Sequence, residues 1–168
     1  EIQSQKKSDL LAIITSTLGG RAAEEIVYGK DAISTGAAKD LYKITNICRA
    51  MVTRLGMSDL GMAQLIPSEG VTNPYSKSYS EATAQKVDAK IEEIIDKQYK
   101  VAKEMINKNK KELDLIVEAL LVLETIVKSQ IDYIHKNLAL PPEVIQRKKE
   151  DEARGKNKPA AKEETQTK

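Results

Sequence analysis

AAKDLYKITNICRAMVTRLG, residues 37–56, has the most regular apolar spacing in this chain of 168 residues. Its apolar side chains recur at alternating steps of four and three, which is the spacing of one face of an α-helix. These positions are Ala37, Leu41, Ile44, Cys48, Met51 and Leu55. Gly56 follows as a helix stop. The stretch therefore predicts an amphipathic helix with one fully apolar stripe.

The preceding segment also has helical spacing. Residues 7–18 predict a first helix, and the pair Gly19-Gly20 that follows marks either a break or the close approach of another backbone. Helical spacing then resumes as far as Gly29, which stands in the position of a C-terminal cap. Ser34 or Thr35 can cap the next helix by accepting a backbone N–H.

Helices are also predicted further along the chain. Periodicity disappears over residues 57–79, which we interpret as a surface loop or small hairpin with residues 62–66 as its one plausible strand. A capping box of Ser78 and Glu81 then predicts a long helix to about residue 107. Its predicted stripe is Ala84, Val87, Ile91, Ile94, Val101 and Met105.

Two shorter helices complete the pattern. In the first, the side chains predicted to face the core are Leu113, Ile116, Val117, Leu120 and Leu123. Ser129 is the predicted cap of the second, and Pro141-Pro142 is expected to end regular structure. The sequence thus predicts an all-α bundle of about four to five helices over residues 1–142, with a charged, disordered tail over residues 143–168.

The composition suits helices and argues against two classes of partner. Hydrophobic residues make up 40% of the chain, while Phe and Trp are absent, so the core must come from aliphatic side chains. The 27 basic and 25 acidic side chains are interspersed, which gives no strong field for nucleic acid or a membrane surface. No apolar run approaches the roughly 20 residues that cross a bilayer. Cys48 lies on an apolar helix face and is interpreted as a buried thiol.

No complete catalytic constellation is visible in the sequence. The chain has one histidine and lacks a His-Glu-x-x-His motif, a phosphate loop with its lysine, and a Gly-x-Ser-x-Gly motif. The histidine, His135, is interpreted as a partly exposed structural residue. A zinc hydrolase needs three protein ligands, so these residues alone cannot supply the usual pair of histidines.

Three carboxylates are candidates for a role in a site. Glu24 and Glu25 lie within an apolar context, so one of them is expected to turn toward the protein, with a salt bridge as the simplest explanation. Asp40 is placed at the edge of the apolar stripe, where an unpaired carboxylate would be costly. It is expected either to pair with Arg21 or a lysine, or to ligate a metal brought by another segment.

Three ordered motifs give the chain a family resemblance. They are Leu18-Gly-Gly-Arg-Ala-Ala-Glu-Glu-Ile-Val-Tyr-Gly, Ser34-Thr-Gly-Ala-Ala-Lys-Asp and Met51-Val-Thr-Arg-Leu-Gly-Met-Ser-Asp. Together they resemble the FtsH-type family of membrane-anchored, ATP-dependent zinc metalloproteases, peptidase family M41, over roughly residues 7–142. The resemblance implies that the chain is the C-terminal part of a helical peptidase domain.

The resemblance carries further implications. The full-length protein is expected to have a membrane anchor, an ATPase module that binds ATP and Mg²⁺, and one zinc per subunit in a homohexamer. It would degrade unfolded, short-lived and membrane proteins, with the peptidase domain on the cytoplasmic side of the bacterial cell membrane. The alternative is a non-catalytic helical module that holds a ring together, as in a degenerate paralogue.

The resemblance also assigns the metal ligands. The two zinc-binding histidines and the general-base glutamate of such proteins lie in a His-Glu-x-x-His helix upstream of this segment. The third ligand is the aspartate that closes the second motif, which falls on Asp40. Glu24 is the runner-up ligand, or a residue that holds the ligands in place without binding the metal itself. The chain alone is therefore expected to be inactive, and no catalytic residue is assigned within it.

Overall fold

The computed structural model describes residues 4–66 and 79–156, the side chains of 154–156 excepted. The chain divides into two compact units, Glu1–Lys108 and Asn109–Lys168. Within the described residues there are six α-helices, two short 3-10 turns and no β-strand. The helices are α1 (Lys7–Tyr28), α2 (Ala38–Thr53), α3 (Glu81–Lys108), α4 (Lys110–Leu123), α5 (Lys128–Asn137) and α6 (Pro142–Lys156). The all-α prediction is confirmed, with one helix more than expected.

The core of the first unit lies between α1, α2 and α3. Aliphatic side chains at helical spacing bury one face of each helix, as the amphipathic patterns require. The buried residues are Leu10, Ile14, Leu18, Ala22, Ile44, Cys48, Met51, Val52, Val87, Ile91 and Ala102. Burial of these apolar surfaces is the main favourable contribution to the stability of the unit.

The first helix differs from its prediction at Gly19-Gly20. Helix α1 runs without a break from Lys7 to Tyr28. A β-carbon added at either glycine would meet no atom within 4 Å among the described residues, so no other backbone approaches them closely. The two glycines cost about 1 kcal/mol each relative to alanine, a loss that the buried face of a 22-residue helix can offset. Gly29 ends the helix with φ of 86°, as predicted.

A connector of residues 29–37 joins α1 to α2. It contains two 3-10 turns, Lys30–Ala32 and Thr35–Ala37, and the second leads directly into α2. The Ser34 hydroxyl oxygen accepts the Gly36 N–H at 3.2 Å and so caps the second turn. The predicted side-chain cap of α2 is therefore not formed, because Ala37 precedes α2 without a side-chain cap and Ser34 caps the 3-10 turn ahead of it.

The strand predicted at residues 62–66 is not formed. Instead the backbone N–H groups of Leu65 and Ile66 both donate to the Thr53 carbonyl, at 2.8 and 3.2 Å. These bonds satisfy a carbonyl in the last turn of α2, where no helical donor is left. The rest of the predicted loop, with Ser78 of the expected capping box, lies outside the described residues.

Helix α3 begins at Glu81 and is capped by a different serine. The Ser80 hydroxyl oxygen accepts the Thr83 N–H at 3.3 Å. Farther along, the buried amide of Gln98 accepts a hydrogen bond from the Thr15 hydroxyl of α1 at 2.9 Å. Because a buried polar group needs a partner, this bond fixes how α1 and α3 face each other.

The second unit consists of α4, α5 and α6. The fully buried residues of its hydrophobic core are Ala119, Ile134 and Val144, one from each helix, and Pro141, just before α6, is buried as well. The predicted stripe of α4 is partly wrong, because Val117 and Leu120 are exposed and Ala119 occupies the buried centre. A small residue there allows α5 and α6 to approach α4, which a pattern based on large apolar side chains does not reveal.

Regular structure does not end at Pro141-Pro142, which corrects the prediction of a disordered tail over residues 143–156. Pro142 is the first residue of α6, where its missing N–H has no helical partner to lose. The side chain of Val144 is buried and anchors the first turn of this helix. Residues 157–168 lie outside the described part of the chain. The assignment of residues 1–142 to one domain stays a prediction, and the units themselves divide after Lys108.

Candidate functional site

The structure places Asp40 in the first turn of α2, outside the core. Asp40 is exposed, and within the described residues it makes no hydrogen bond or ion pair. Residues 38–43 are all exposed, and Ile44 is the first fully buried residue of the helix. The expectation that Asp40 lies against apolar side chains and needs a cationic partner is therefore wrong. The apolar stripe was extended too far toward the helix N-terminus.

The position of Asp40 nevertheless suits a carboxylate. The first turn of an α-helix carries N–H groups without helical partners and the positive end of the helix dipole. A negative side chain is favourable there without any cationic neighbour. The Asp40 carboxylate is thus both tolerated by the helix and open to a ligand.

Glu24 lies in α1 and contacts the connector that leads to α2. Its carboxylate is 3.5 Å from the Arg21 guanidinium, and each of these side chains is about one fifth exposed (23% and 22%). Hydrogen bonding from the side chain and backbone of Ser34, followed by the charge of Arg21, lowers the pKa of Glu24. The carboxylate is therefore ionised and already engaged.

Arg21 makes the second link between α1 and the connector. Its Nη1 donates to the Ser34 carbonyl oxygen at 2.8 Å. Arg21 precedes Ala22, which is fully buried, so the base of the arginine side chain is fixed by the core. A polar cluster thus joins α1 to the connector, and its members are Arg21, Glu24 and Ser34.

Glu25 points to the opposite neighbour, helix α3. The Tyr99 hydroxyl donates to its carboxylate, and the Lys103 ammonium lies 3.4 Å from it. The same ammonium is 4.7 Å from the centre of the Tyr99 ring, within the range of a cation–π contact. These contacts lower the pKa of Glu25, chiefly through the tyrosine hydroxyl. Burial and the bond to Glu25 raise the pKa of Tyr99 to about 12.

The remaining candidates have structural roles. Cys48 is fully buried, and burial raises the pKa of its thiol to about 11, which confirms the interpretation as an inert core residue. The His135 imidazole is exposed, and its Nδ1 lies 3.1 Å from the Glu112 carboxylate. The interpretation of His135 as a structural surface residue agrees with this pairing.

The described residues do not assemble a metal site by themselves. Across residues 4–66 and 79–156, no group of three or more His, Cys, Asp or Glu side chains could hold a metal ion. None of the described helices combines the length and apolar character that a bilayer crossing requires. A metal held at Asp40 by three protein ligands must therefore take at least one of them from residues outside this described part.

Sequence reasoning missed the partners of the α1 carboxylates. It predicted that one of Glu24 and Glu25 turns inward, whereas both are engaged, on different sides of the helix. Tyr99 and Lys103 are separated from Glu25 by more than 70 residues, and no local pattern connects them. The contact between Arg21 and Ser34 spans 13 residues and was likewise not expected.

Comparison with known sequences defines the class of protein. Residues 1–134 match the model of peptidase family M41. Because this match covers most of the chain, the chain belongs to peptidase family M41. The resemblance inferred from the three motifs is thereby confirmed.

The most similar curated relatives shown by the comparison share one name, ATP-dependent zinc metalloprotease FtsH. The chain is 58% identical over 149 residues to that of Ureaplasma parvum serovar 3, which covers 89% of this chain and 21% of the relative. It is 56% identical over 166 residues to that of Mycoplasmoides gallisepticum, covering 99% of this chain and 21% of the relative. It is 54% identical over 168 residues to that of Mycoplasma genitalium, covering 99% and 24%. The chain thus spans 21–24% of the length of these relatives.

Proposed function

We propose that the chain is the C-terminal part of the peptidase domain of an ATP-dependent zinc endopeptidase, and that it contributes Asp40 to the zinc site. The observation that carries the proposal is the exposed position of the Asp40 carboxylate in a member of peptidase family M41. It is an exposed carboxylate at a helix start, without a partner in the described residues. A carboxylate in this state can ligate a metal without giving up another interaction.

The donor set of the chain fits a shared zinc site. Catalytic zinc takes three protein ligands and keeps one open position. The described residues offer no cluster of three donors, and the one histidine of the chain is paired with Glu112. Asp40 would accordingly be one ligand, while the motif resemblance places the other two on an upstream His-Glu-x-x-His helix.

The chemistry of the bound metal would be the activation of water for attack on a peptide carbonyl. Within this chain, Asp40 would act only as a ligand and would transfer no proton. The hydrogen-bond donors of the first α2 turn support its negative charge. The buried residues from Ile44 onward hold the helix that carries it.

Glu24 is the rival ligand. Its carboxylate is paired with Arg21 and its pKa is lowered by Ser34, so binding a metal would require it to leave these partners. Loss of charge-assisted hydrogen bonds would oppose that exchange. We therefore assign Glu24 a supporting role and Asp40 the ligand role.

The remainder of the proposal concerns the whole protein and rests on the motif resemblance and on the name that the relatives share. An ATPase module outside this chain would bind ATP with Mg²⁺ and feed substrates to the peptidase. The assembly would be a homohexamer anchored in the bacterial cell membrane, with the peptidase domain facing the cytoplasm. Its substrates would be unfolded, short-lived and membrane proteins.

The proposal is tested with the full-length protein by following casein degradation in the presence of ATP. We expect cleavage to stop when a zinc-selective chelator is added with Mg²⁺ in excess and to resume when zinc is restored, while ATP hydrolysis persists throughout. A protein that assembles and hydrolyses ATP but cleaves nothing with zinc present would contradict the proposal. That result would instead support the non-catalytic assembly module of a degenerate paralogue.

A further inference from the structure

The connector between α1 and α2 has little apolar burial to hold it. Residues 29–36 are all exposed, and Ala37 is only half-buried. Burial of side chains, which fixes the helices of this unit, therefore cannot fix the connector. Its position has to come from polar contacts, and those made by Ser34 reach the rigid helix α1.

Ser34 is the contact point between the connector and α1. Its carbonyl oxygen accepts a hydrogen bond from Arg21 Nη1 at 2.8 Å, while its hydroxyl oxygen accepts the Gly36 N–H at 3.2 Å. The Arg21 guanidinium is also paired with Glu24, one helical turn along α1. A planar guanidinium can direct separate N–H groups to two acceptors, so Arg21 suits this double contact.

Helical hydrogen bonding begins immediately after Ser34. The 3-10 turn Thr35–Ala37 continues without interruption into α2, and the Ala38 N–H donates to the Thr35 carbonyl. Asp40 lies in the first turn of that helix. The position of Ser34 therefore sets where the first turn of α2 begins and how the Asp40 carboxylate is presented.

We propose that Arg21 is a positioning residue for Asp40, acting through the Ser34 carbonyl. This inference rests on the proposed function, because it presupposes that Asp40 is a zinc ligand. Metal affinity depends on ligands being held in place before the metal arrives, and supporting contacts typically change affinity by about 10–100-fold. Without the Arg21 contact, the exposed connector and the first turn of α2 lose one of their two polar links to α1 within the described residues, and only the hydrogen bonding between Ser34 and Glu24 remains.

The experiment uses the full-length protein and measures zinc affinity by competition with a chromophoric chelator. Arg21→Ala should weaken zinc binding by about tenfold, near the lower end of the range for supporting contacts. Arg21→Met keeps the apolar stem beside the core but cannot donate, so it should weaken binding similarly if Arg21→Ala folds poorly. Arg21→Lys, which keeps one donor and the charge, should recover part of the affinity.

Arg49→Ala is the matched control. Arg49 lies on α2 and is paired at 3.8 Å with Asp88, and both side chains are exposed. Loss of this surface pair should leave zinc affinity unchanged. ATP hydrolysis and the melting temperature of the Arg21→Met protein should also stay near those of the parent, which separates positioning from general destabilisation.

A double-mutant cycle with Asp40 separates the inference about Arg21 from the ligand assignment of Asp40 on which it rests. In the Asp40→Ala background, Arg21→Met should cause no further loss of zinc affinity, because Arg21 acts through Asp40. An equal loss in both backgrounds would overturn the inference, as would an unchanged affinity in Arg21→Met alone. If Asp40→Ala itself leaves zinc affinity unchanged, the ligand assignment fails, which is a different result from failure of the Arg21 inference.

Discussion

At the scale of single residues, two adjacent glutamates on one helix have different partners. Successive residues of an α-helix point about 100° apart, so Glu24 faces the connector while Glu25 faces α3. The apolar residues around them indicate that the pair lies near the core. The identity of their partners depends on the tertiary fold and could not be read from the local sequence.

The pair of Tyr99 and Glu25 predicts a pH-dependent stability. Glu25 has a lowered pKa, so its contribution is present above its unfolded value and is lost as the pH falls through its folded value. Tyr99 has a pKa raised from 10.0 to about 12, so its contribution is present below pH 10.0 and is lost as the pH rises through about 12. Tyr99→Phe should therefore destabilise the protein at neutral pH, with a difference from the parent that shrinks in strong alkali.

Urea unfolding at a series of pH values measures this difference. Tyr28→Phe is the control, since Tyr28 is exposed and makes no hydrogen bond in the described residues. It should leave stability unchanged at every pH. Equal effects of the two substitutions at pH 7 would show that the Tyr99 hydroxyl contributes nothing.

Cys48 gives a second prediction at this scale. A thiol pKa raised from 9.0 to about 11 leaves about a hundredfold less thiolate near pH 8, and full burial also blocks access. An aromatic disulfide reagent should therefore modify Cys48 slowly in the folded chain and rapidly in denaturant. Rapid modification without denaturant would mean that this part of the core opens easily.

At the scale of elements, helical spacing predicted the buried faces better than their ends. The predicted stripe is buried at Ile44, Cys48 and Met51 of α2, but Leu41 near the start of the helix and Leu55 beyond its end are exposed. Periodicity gives the direction of a face, whereas the length over which it is covered depends on the neighbouring helices. The same limit explains why Asp40 was placed too close to the core.

Ile44 and Leu41 form a matched pair for testing this boundary. Ile44→Ala removes a fully buried side chain and should cost about 2–5 kcal/mol of unfolding free energy, because it leaves a cavity. Leu41→Ala removes a side chain that is 40% exposed and should cost roughly 1 kcal/mol or less. Denaturant unfolding of both variants measures the difference, and equal costs would mean that the core extends to the first turn of α2.

Helix α6 was not predicted, because the two prolines at its start were interpreted only as the end of regular structure. Two consecutive prolines end a preceding helix, but proline is also favoured as the first residue of the next one. Val144 lies two residues later and is the one deeply buried side chain among residues 142–153, which was too weak a signal to predict a helix. The charged residues that follow are compatible with an exposed helix as well as with a disordered tail.

At the scale of the whole molecule, the fold could be predicted from this chain more fully than the site. Periodicity, caps and an aliphatic composition are local properties, and they were sufficient for the all-α architecture. The candidate site depends on contacts between distant segments, and the described residues assemble no group of three metal-binding side chains by themselves. The assignment of Asp40 therefore rests on the motif resemblance together with the exposed position of its carboxylate, and not on the burial argument.

The central claim is that Asp40 ligates zinc, and the most direct measurement is bound zinc per subunit in full-length protein with Asp40→Ala. Asp40→Asn and Glu24→Ala are compared with it, together with casein degradation and ATP hydrolysis. We expect Asp40→Ala to lose zinc and proteolysis while ATP hydrolysis persists, because a site with two ligands neither retains the metal nor activates water. Glu24→Ala should keep bound zinc, with at most the weaker affinity that loss of a supporting contact causes. The account is contradicted if Asp40→Ala retains zinc and cleaves casein near the parental rate while Glu24→Ala is inactive and zinc-free.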